Sequence, residues 1–447
     1  MKTINSTCLG VNHVILFILI YFVQLNAQKS LLQSGPMNGY SAMREVQVWV
    51  QTTEEADVQL KYWEKGKQNK FESDFAATFK EDAFTAHITI ENLKPGTVYN
   101  YELFINEEKI ILPYELKFQT QKLWQWREDA PDFSFTAGSC FYVNEDPYDR
   151  PGKPYGDGFQ IFNSITQRQP DFMLWLGDNI YLREVDWDSR SGILARYTHT
   201  RSFDNIQQLL GNTHNYATWD DHDYGPDNSD RGFWNKDLTL EAFKLFWANP
   251  TYGIGGSEGV NTFFKWSDCD FFLTDGRYYR APEFRKNIDR ELLGEKQIEW
   301  LIDALVKSEA PFKFIVLGTA ALTSVANKES YETYKIEKDK LLKAIKEEKI
   351  TGVIFITGDR HYTELTKMPR ENDYPLYDFT ISPLTSGVNT KGNGGNEFMV
   401  EGTHVQERNY ALFEITGKNK NRILKCTIID KDGKEIWNYS INENELK

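Results

Sequence analysis

Residues 171–181 read DFMLWLGDNIY: an unbroken apolar run, then a glycine, then side chains that can bind a ligand. An apolar run of this length predicts a strand buried on both faces, as in sheets covered by helices. Gly177 ends the run, and Asp178 and Tyr181 place a carboxylate and a phenol just beyond it. In open α/β sheets, ligands bind at the carboxyl ends of the strands. The stretch therefore predicts a fold class and the position of a functional site.

The same pattern recurs along the larger, later part of the chain. Strands are predicted at 133–138, 171–178, 215–221, 270–275, 312–318 and 352–359, with helices at 238–248, 292–308 and 332–349. Apolar strands that alternate with helical patterns are typical of sheets covered by helices. We therefore expect residues 133–447 to form one domain of this kind.

Three other predicted strands end in turns that resemble the first in chemistry. These turns read GSC at 138–140, WDDHD at 219–223 and GDRH at 358–361. Each alone has an ordinary explanation, since Gly-Asp often forms a simple turn and single cysteines and tyrosines are usually buried core residues. Together they supply thiolate, carboxylate, phenolate and imidazole groups. This mixed set suits a transition metal beside a second, oxygen-preferring cation.

Residues 28–120 carry a different pattern. Val46, Val48 and Val50 alternate with polar or aromatic residues, and four further short segments repeat this period of two. Short alternating strands separated by turn residues predict an all-β sandwich. The turn LKPGT at 93–97 resembles one found in fibronectin type III domains, so the predicted sandwich is fibronectin III/Ig-like. Residues 121–132 lose the alternation and are interpreted as a linker.

Residues 1–27 have the features of a secretory signal peptide. Lys2 precedes the apolar run 14–23, and Ala27 provides a small residue at the cleavage position. Ten apolar residues are fewer than the ~20 that span a bilayer. Leu25 is large for its position, so an uncleaved anchor helix is the alternative. The sequence favours cleavage, and we expect the mature protein to be secreted or to lie in the periplasm or at the cell surface.

The composition argues against nucleic acid and against the membrane interior as binding partners. The 447 residues carry a net charge of −14, which repels phosphate polymers and makes duplex nucleic acid an improbable partner. No later segment is apolar enough for integral membrane contact. After cleavage three cysteines remain, of which Cys269 and Cys426 lie in strand-like runs. They are interpreted as buried thiols, with a disulfide as the alternative. The sequence leaves the oligomeric state open.

The ordered motifs SC, GDNIY, WDDHD, DGRYYR, LLGEKQIEWL and ITGDRH resemble those of the PhoD-like alkaline phosphatases, within the calcineurin-like metallophosphoesterase superfamily. The resemblance covers nearly the whole mature chain. It implies a β-sandwich followed by an αββα metallophosphatase domain. It also implies ferric iron plus calcium, or another divalent cation, in a dinuclear or trinuclear cluster.

The resemblance also implies roles for single residues. Cys140 and Tyr181 are similar to the family's thiolate and phenolate ligands of iron, and Asp178 to the carboxylate that bridges the metals. The remaining metal ligands it implies are His361 on iron and Asp221, Asn228 and Asp359 on the oxygen-preferring cation. His222 is similar to the superfamily's histidine that faces the scissile phosphate. A role for Arg277 and Arg280 in phosphate contact stays open beside a structural one.

The expected function is therefore that of a secreted phosphoesterase acting on phosphate monoesters, diesters or both. Metal ions lower the pKa of bound water, so a hydroxide becomes available for attack on phosphorus near neutral pH. The alternative is an exported polymer-binding protein whose metallophosphatase scaffold has lost catalysis. The complete ligand sets at all four strand-end turns argue against a degenerate scaffold and so for the enzyme.

Overall fold

The computed structural model describes residues 31–328 and 330–447. Residues of the range Leu31–Lys447 belong to one compact unit. The predicted signal peptide, residues 1–27, lies outside the described residues. Within the described ranges, no helix combines the length and the apolar character needed to cross a bilayer.

The described residues form twenty-one strands and seven α-helices. The strands are β1 Leu32–Ser41, β2 Val46–Thr52, β3 Asp57–Glu64, β4 Phe71–Glu72, β5 Ala76–Ala77, β6 Thr85–Ile90, β7 Val98–Ile105, β8 Glu108–Lys109, β9 Leu116–Gln119, β10 Phe133–Gly138, β11 Phe172–Leu176, β12 His214–Thr218, β13 Thr262–Trp266, β14 Cys269–Leu273, β15 Lys313–Leu317, β16 Val353–Thr357, β17 Glu364–Arg370, β18 Asp373–Thr380, β19 Asn409–Thr416, β20 Ile423–Asp430 and β21 Glu435–Asn442. The helices are α1 Ile161–Arg168, α2 Arg190–Arg201, α3 Asp204–Asn212, α4 Asp221–Tyr224, α5 Lys236–Phe246, α6 Glu295–Lys307 and α7 Lys335–Glu347.

Two six-stranded sheets form the larger part of the molecule. The first has the order β12-β11-β10-β19-β20-β21, and the second has the order β13-β14-β15-β16-β18-β17. Strands β10, β11 and β12 are parallel, as are β14, β15, β16 and β18. Because parallel strands end at the same edge of a sheet, each sheet presents several strand ends together.

Aromatic side chains fill the space between the two sheets. The Phe135 ring of β10 meets the rings of Phe271 and Phe314 at 5.3 and 5.7 Å between centroids. Along β11 the side chains alternate between two hydrophobic clusters, with Phe172 facing the other sheet and Trp175 facing the helices. The core thus fixes the two sheets face to face.

The N-terminal strands form a three-stranded sheet, β1-β2-β6, and a second sheet built on β3 and β7. They contact the larger part directly. A Cβ on Gly39 would lie 2.3 Å from the Cβ of Ala248, so this close backbone approach requires glycine. The buried His214 ring bonds to the carbonyl of Gly39 at 2.7 Å and accepts from the Gln119 amide at 3.1 Å.

The six predicted strands and three predicted helices are confirmed, with ends shifted by three residues at most. Strand β11 ends two residues before its predicted end because the chain turns away at Gly177, where φ is +95°. Helices α1, α2 and α3 were not predicted from the sequence. The β-rich N-terminal region is present. Three finer points stay predictions: its fibronectin III/Ig likeness, the αββα layer order, and the domain boundaries 28–120, 121–132 and 133–447.

Candidate metal centre

Most of the candidate ligands have an unusual backbone conformation. Positive φ angles occur at Cys140 (61°), Asp178 (51°), Asn228 (59°), Asp359 (70°) and His361 (58°). Residues with a side chain seldom adopt this left-handed region, and Cys does so less often than Asn, Asp or His. Such conformations persist where the surrounding structure imposes them, and they cluster at functional sites. The strand ends are therefore bent so that these side chains turn towards a common space.

Glycines allow the strand ends to approach one another. A Cβ on Gly358 would lie 2.7 Å from the Cβ of Ser139. The chain after β16 therefore lies directly against the chain after β10. A Cβ on Gly177 would lie 2.7 Å from the Cβ of Asp220, and one on Gly318 would lie 2.6 Å from its Cγ. Real Cβ atoms do not approach this closely. The convergence of the turns thus depends on the absence of side chains at these positions.

A first group of candidate ligands surrounds Asp178. Its Oδ2 atom accepts a hydrogen bond from the Tyr181 hydroxyl at 3.0 Å and one from the Cys140 thiol at 3.5 Å. The Nε2 atom of His361 lies 3.5 Å from the Tyr181 hydroxyl, and its Nδ1 contacts the carbonyl of Gly387. Ligand atoms of Cys140, Asp178 and His361 all lie within 4.8 Å of one another.

A second group combines Asp220, Asp221 and Asp359, whose carboxylate oxygens also lie within 4.8 Å of one another. Asp221 accepts a hydrogen bond at 2.6 Å from the backbone N–H of Asn228. The buried Arg277 pairs with Asp220 and lies 3.6 Å from Asp221. Among the described residues, the buried Oδ1 atoms of Asp221 and Asn228 have no hydrogen-bond partner.

His222 lies at the edge of both groups. Its backbone N–H donates to Asp178 Oδ1 at 3.3 Å, and its ring packs on Tyr181 with 4.3 Å between centroids. The imidazole Nε2 is 3.8 Å from Asp227, and about a fifth of the side chain is exposed. The ring is therefore accessible from solvent while its backbone is tied to the first group.

Burial shifts the ionisation of the first group. It raises the pKa of Asp178 well above its ordinary value, with Asp221 and Cys140 adding to the effect. It also raises the pKa values of Cys140 and of Tyr181. Burial alone would raise the pKa of Asp221 too, but the charges of His222 and Arg277 lower it overall. Without a cation the first group thus resists becoming anionic, although it is built from acidic groups.

These residues fit a pair of cations. Thiol, phenol and imidazole lie around Asp178 and suit a transition metal, whereas the second group offers oxygen atoms alone. The buried oxygens of Asp221 and Asn228 would gain partners from a bound cation. A positive charge would also favour the ionised forms of Cys140 and Tyr181, which burial disfavours. All the metal-ligand candidates from the sequence lie in or beside the two groups.

Four residues of this site were missed by sequence reasoning. Asp220 belongs to the second group. Its position beside the candidate ligand Asp221 in the WDDHD turn could have indicated this. Asp223 accepts from the backbone N–H groups of Asn179 and Asp220, both at 3.0 Å, and so holds two turns together. Ser382 donates to the Cys140 sulfur at 3.0 Å. The hydroxyl of Tyr155 lies 3.0 Å from His361 Nδ1, and no pattern in its loop indicated this.

The arginines and cysteines that the sequence left open are also placed. Arg277 pairs with buried aspartates, and Arg280 is buried with its guanidinium on the carbonyl of Lys328. Both arginines are therefore held by protein groups.

Cys269 and Cys426 are buried and free, which agrees with the buried-thiol interpretation and not with a disulfide between them.

Comparisons with known families agree with the motif order. A family model described as PhoD-like phosphatase matches residues 135–424. A second model, described as a domain of unknown function (DUF7800), matches residues 29–123. Alkaline phosphatase D of Bacillus subtilis (strain 168) is 22% identical over 384 residues, which cover 72% of this chain and 62% of that protein. The chain thus spans less than two thirds of this relative's length.

Two solved structures share the fold. A structure of PhoD is 16% identical and superposes with a TM-score of 0.76, covering 94% of this chain and 92% of its own. The purple acid phosphatase PPD1 from yellow lupin (Lupinus luteus) seeds is 12% identical with a TM-score of 0.66, covering 92% of this chain and 75% of its own. At these identities the superpositions establish the fold alone.

Proposed function

The chain belongs to the PhoD-like phosphatase family, and from that premise we propose that it is a secreted, metal-dependent phosphoesterase that hydrolyses phosphate monoesters, diesters or both. One observation carries the proposal. Thiol, imidazole and carboxylate groups from separate strand-end turns form three groups whose ligand atoms lie within 4.8 Å of one another, and Asp178 and Asp221, which together with His222 make the third group, link the other two. The phenol of Tyr181 lies 3.0 Å from Asp178. Structural ion pairs do not need such a mixture, whereas a centre holding two different cations does.

The proposed metals are ferric iron and calcium or another divalent cation, in a cluster of two or three ions. Residues proposed to hold them are Cys140, Tyr181 and His361 for iron, Asp178 for both ions, and Asp221, Asn228 and Asp359 for the divalent ion. When bound, such cations would neutralise phosphate charge and make a water molecule acidic enough to supply the nucleophile.

The protein's own groups have separate tasks in this proposal. The exposed edge of His222 faces the open side of the site, where it can donate a proton to the departing alcohol oxygen. The Ser382 hydroxyl donates to the sulfur of Cys140 and thereby stabilises a thiolate there. Arg277 offsets the negative charge of Asp220 and Asp221, so the three-carboxylate group can be kept in the buried interior.

Export and domain roles complete the proposal. The apolar run at 14–23 supports cleavage of residues 1–27 and passage out of the cytoplasm. The N-terminal strands, proposed as a sandwich over 28–120, contribute none of the candidate ligands. Their proposed role is to pack on the enzyme without taking part in catalysis.

The test is chelator-sensitive hydrolysis by the purified protein. We expect turnover of p-nitrophenyl phosphate, of bis(p-nitrophenyl) phosphate or of both, lost on chelation and restored by metal. Plasma emission and visible absorption of natively purified protein would identify the ions. Asp178→Asn should abolish turnover, whereas the control Asp303→Asn, at an exposed position of α6, should not.

The alternative is an exported polymer-binding protein that has lost catalysis. This alternative predicts that the protein hydrolyses no phosphate ester in a chelator-sensitive way at any metal loading, unlike the phosphoesterase. A folded protein without such turnover would favour this alternative over the phosphoesterase.

A further inference from the structure

A cavity of about 290 Å³ opens beside His222 and Tyr181. Its walls come mainly from the loop that connects β10 to α1, through Tyr142, Pro151, Pro154 and Tyr155. This size is close to the lower end of small-molecule sites, which are usually concave and partly aromatic. His222 lines this cavity, and its ring also lies within 4.8 Å of the carboxylate oxygens of Asp178 and Asp221. A group bound in the cavity would therefore lie next to a phosphate held at the candidate metal centre.

Three tyrosine rings form a corner of this cavity. The rings of Tyr142 and Tyr155 meet at 78° with 4.9 Å between centroids, and those of Tyr142 and Tyr181 meet at 57° and 4.9 Å. Tyr155 stands at 72° to Tyr181. Tyr142 and Tyr181 are buried and Tyr155 is exposed, so the Tyr155 ring is the one that can offer stacking or edge contact to the ring of an entering ligand.

The corner is held rigidly from behind. The guanidinium of Arg183 lies 4.1 Å from the centre of the Tyr142 ring, and Asp149 accepts hydrogen bonds at 2.8 Å from both side chains. Tyr155 packs on Gly387, where a Cβ would lie 2.3 Å from the tyrosine ring. A wall fixed before binding loses little conformational entropy when a ligand enters.

The charges around the cavity cancel. Its lining holds the cations Arg150, Lys153 and Arg183 and the carboxylates Asp149, Glu184 and Asp227. Arg183 pairs with Asp149 at 2.8 Å and Arg150 with Glu184 at 3.4 Å. The wall therefore offers aromatic and proline surface without a net charge to attract a second anionic group.

We propose that this tyrosine corner is the subsite for the alcohol part of the substrate and that it selects phosphate esters whose alcohol carries a flat ring. Tyr155 is the specificity-determining residue, because it lines the cavity and is exposed, whereas Tyr142 and Tyr181 are buried. The inference rests on the proposed phosphoesterase function and adds a substrate class to it.

The test compares benzyl phosphate with ethyl phosphate, whose alcohols are of similar acidity, using the metal-loaded protein. We expect kcat/KM for the benzyl ester to exceed that for the ethyl ester about tenfold, the scale of one buried aromatic contact. Benzylphosphonate should likewise inhibit more strongly than ethylphosphonate. This second readout depends on binding alone and not on the leaving group.

Variants assign the preference to the ring. Tyr155→Ala should bring the benzyl-to-ethyl ratio close to one, whereas Tyr155→Phe, which keeps the ring but loses the contact with His361, should retain it. Trp234→Ala, an exposed aromatic residue outside the cavity lining, is the matched control and should keep the ratio.

Each other outcome is decisive. Equal kcat/KM for the two esters in the unaltered protein would overturn the inference while leaving the phosphoesterase in place. A ratio that survives Tyr155→Ala, or that Tyr155→Phe abolishes as fully, would also overturn it. Absence of turnover on both esters and on p-nitrophenyl phosphate would overturn the proposed function itself.

Discussion

The two ends of the central sheets hold buried charge in opposite ways. At the carboxyl ends, Asp178, Asp220, Asp221 and Asp359 are crowded together, and the buried Arg277 pairs with two of them. At the amino ends, the buried Arg422 forms ion pairs with Asp132 and Asp268 and donates to backbone carbonyls. The same two sheets thus carry four crowded carboxylates at one end and a buried arginine surrounded by acceptors at the other.

The amino-end cluster ties the first sheet to the second. Arg422 precedes β20 and donates to Asp132, before β10, at 2.8 Å, while its Nε lies 3.0 Å from Asp268, before β14. It also donates to the carbonyls of Ala130 and Pro131 at 3.2 and 2.9 Å. At this end, protein groups neutralise the buried charge, as expected for a charge that stabilises the fold. At the carboxyl ends the buried carboxylates outnumber the arginine that pairs with them, as a site for external cations requires.

The largest expected effect distinguishes two buried thiols. Cys140→Ala should lower phosphoesterase turnover by roughly 10³-fold, because it removes a ligand from a group that acts as a unit. Cys426→Ala removes a thiol buried in apolar surroundings and should leave turnover per folded molecule unchanged. Steady-state assays with metal analysis of each protein measure the difference. Full activity in Cys140→Ala would remove this residue from the metal centre.

The next effect concerns stability at the amino end. Arg422→Met should lower the free energy of unfolding by about 3–5 kcal/mol, because it leaves Asp268 buried without its counter-charge. Asp132→Asn should cost less than about 1 kcal/mol, since the Asp132 side chain is 61% exposed. Urea unfolding of the two variants gives both values. Equal losses would show that the amino-end cluster is not organised around the buried pair.

A third effect is a pH dependence at the contact between β12 and the N-terminal strands. Burial lowers the pKa of His214 from 6.5 to about 4. Between these values the unfolded chain binds a proton that the folded chain excludes, so stability falls as pH drops from 6.5 towards 4. The shift corresponds to about 3 kcal/mol, present above pH 6.5 and lost near pH 4.

His214→Gln isolates this contribution, because an amide can still donate to the Gly39 carbonyl and accept from the Gln119 amide. The variant's free energy of unfolding should decline less steeply between pH 6.5 and 4 than that of the unaltered protein. Parallel pH profiles in urea unfolding would contradict the assignment.

The smallest effect returns to the carboxyl ends. In chelated protein at neutral pH, Asp178→Asn should raise the free energy of unfolding by about 1 kcal/mol, because a neutral amide replaces a buried acid beside other acids. In metal-loaded protein the same change should destabilise. Thermal unfolding with and without chelator compares the two states. A loss of stability in both would mean that Asp178 serves the fold more than the ions.

The sequence allowed most of the strand-end geometry to be predicted. Apolar runs locate β10, β11 and β16, and the parallel pairing of β10 with β11 brings Cys140 and Asp178 to one sheet edge. Asp359 follows β16 in the other sheet, so its approach depends on how the two sheets pack. The family relationship follows from the same motifs, whereas the metal-dependent phosphatase activity is a proposal. The assignment of single ligands and of secretion remains proposed.

Other features depend on contacts between residues distant along the chain. Arg277 is 57 residues from Asp220, and no local pattern connects them. Tyr155 lies in a loop without periodicity and contacts His361 only because the fold brings together two residues that are 206 positions apart. Helices α1 and α3 are short, with weakly marked starts, since neither N-cap side chain forms a capping hydrogen bond.

The left-handed strand ends bear on how descendants of this protein would change. Glycine adopts such φ angles without penalty, so at positions 140, 178, 228, 359 and 361 it would relieve conformational cost while deleting a candidate ligand. If the proposed hydrolysis is the selected function, lineages released from that selection are free to accumulate glycine there. A homologue with glycines at several of these positions would mark an abandoned active site.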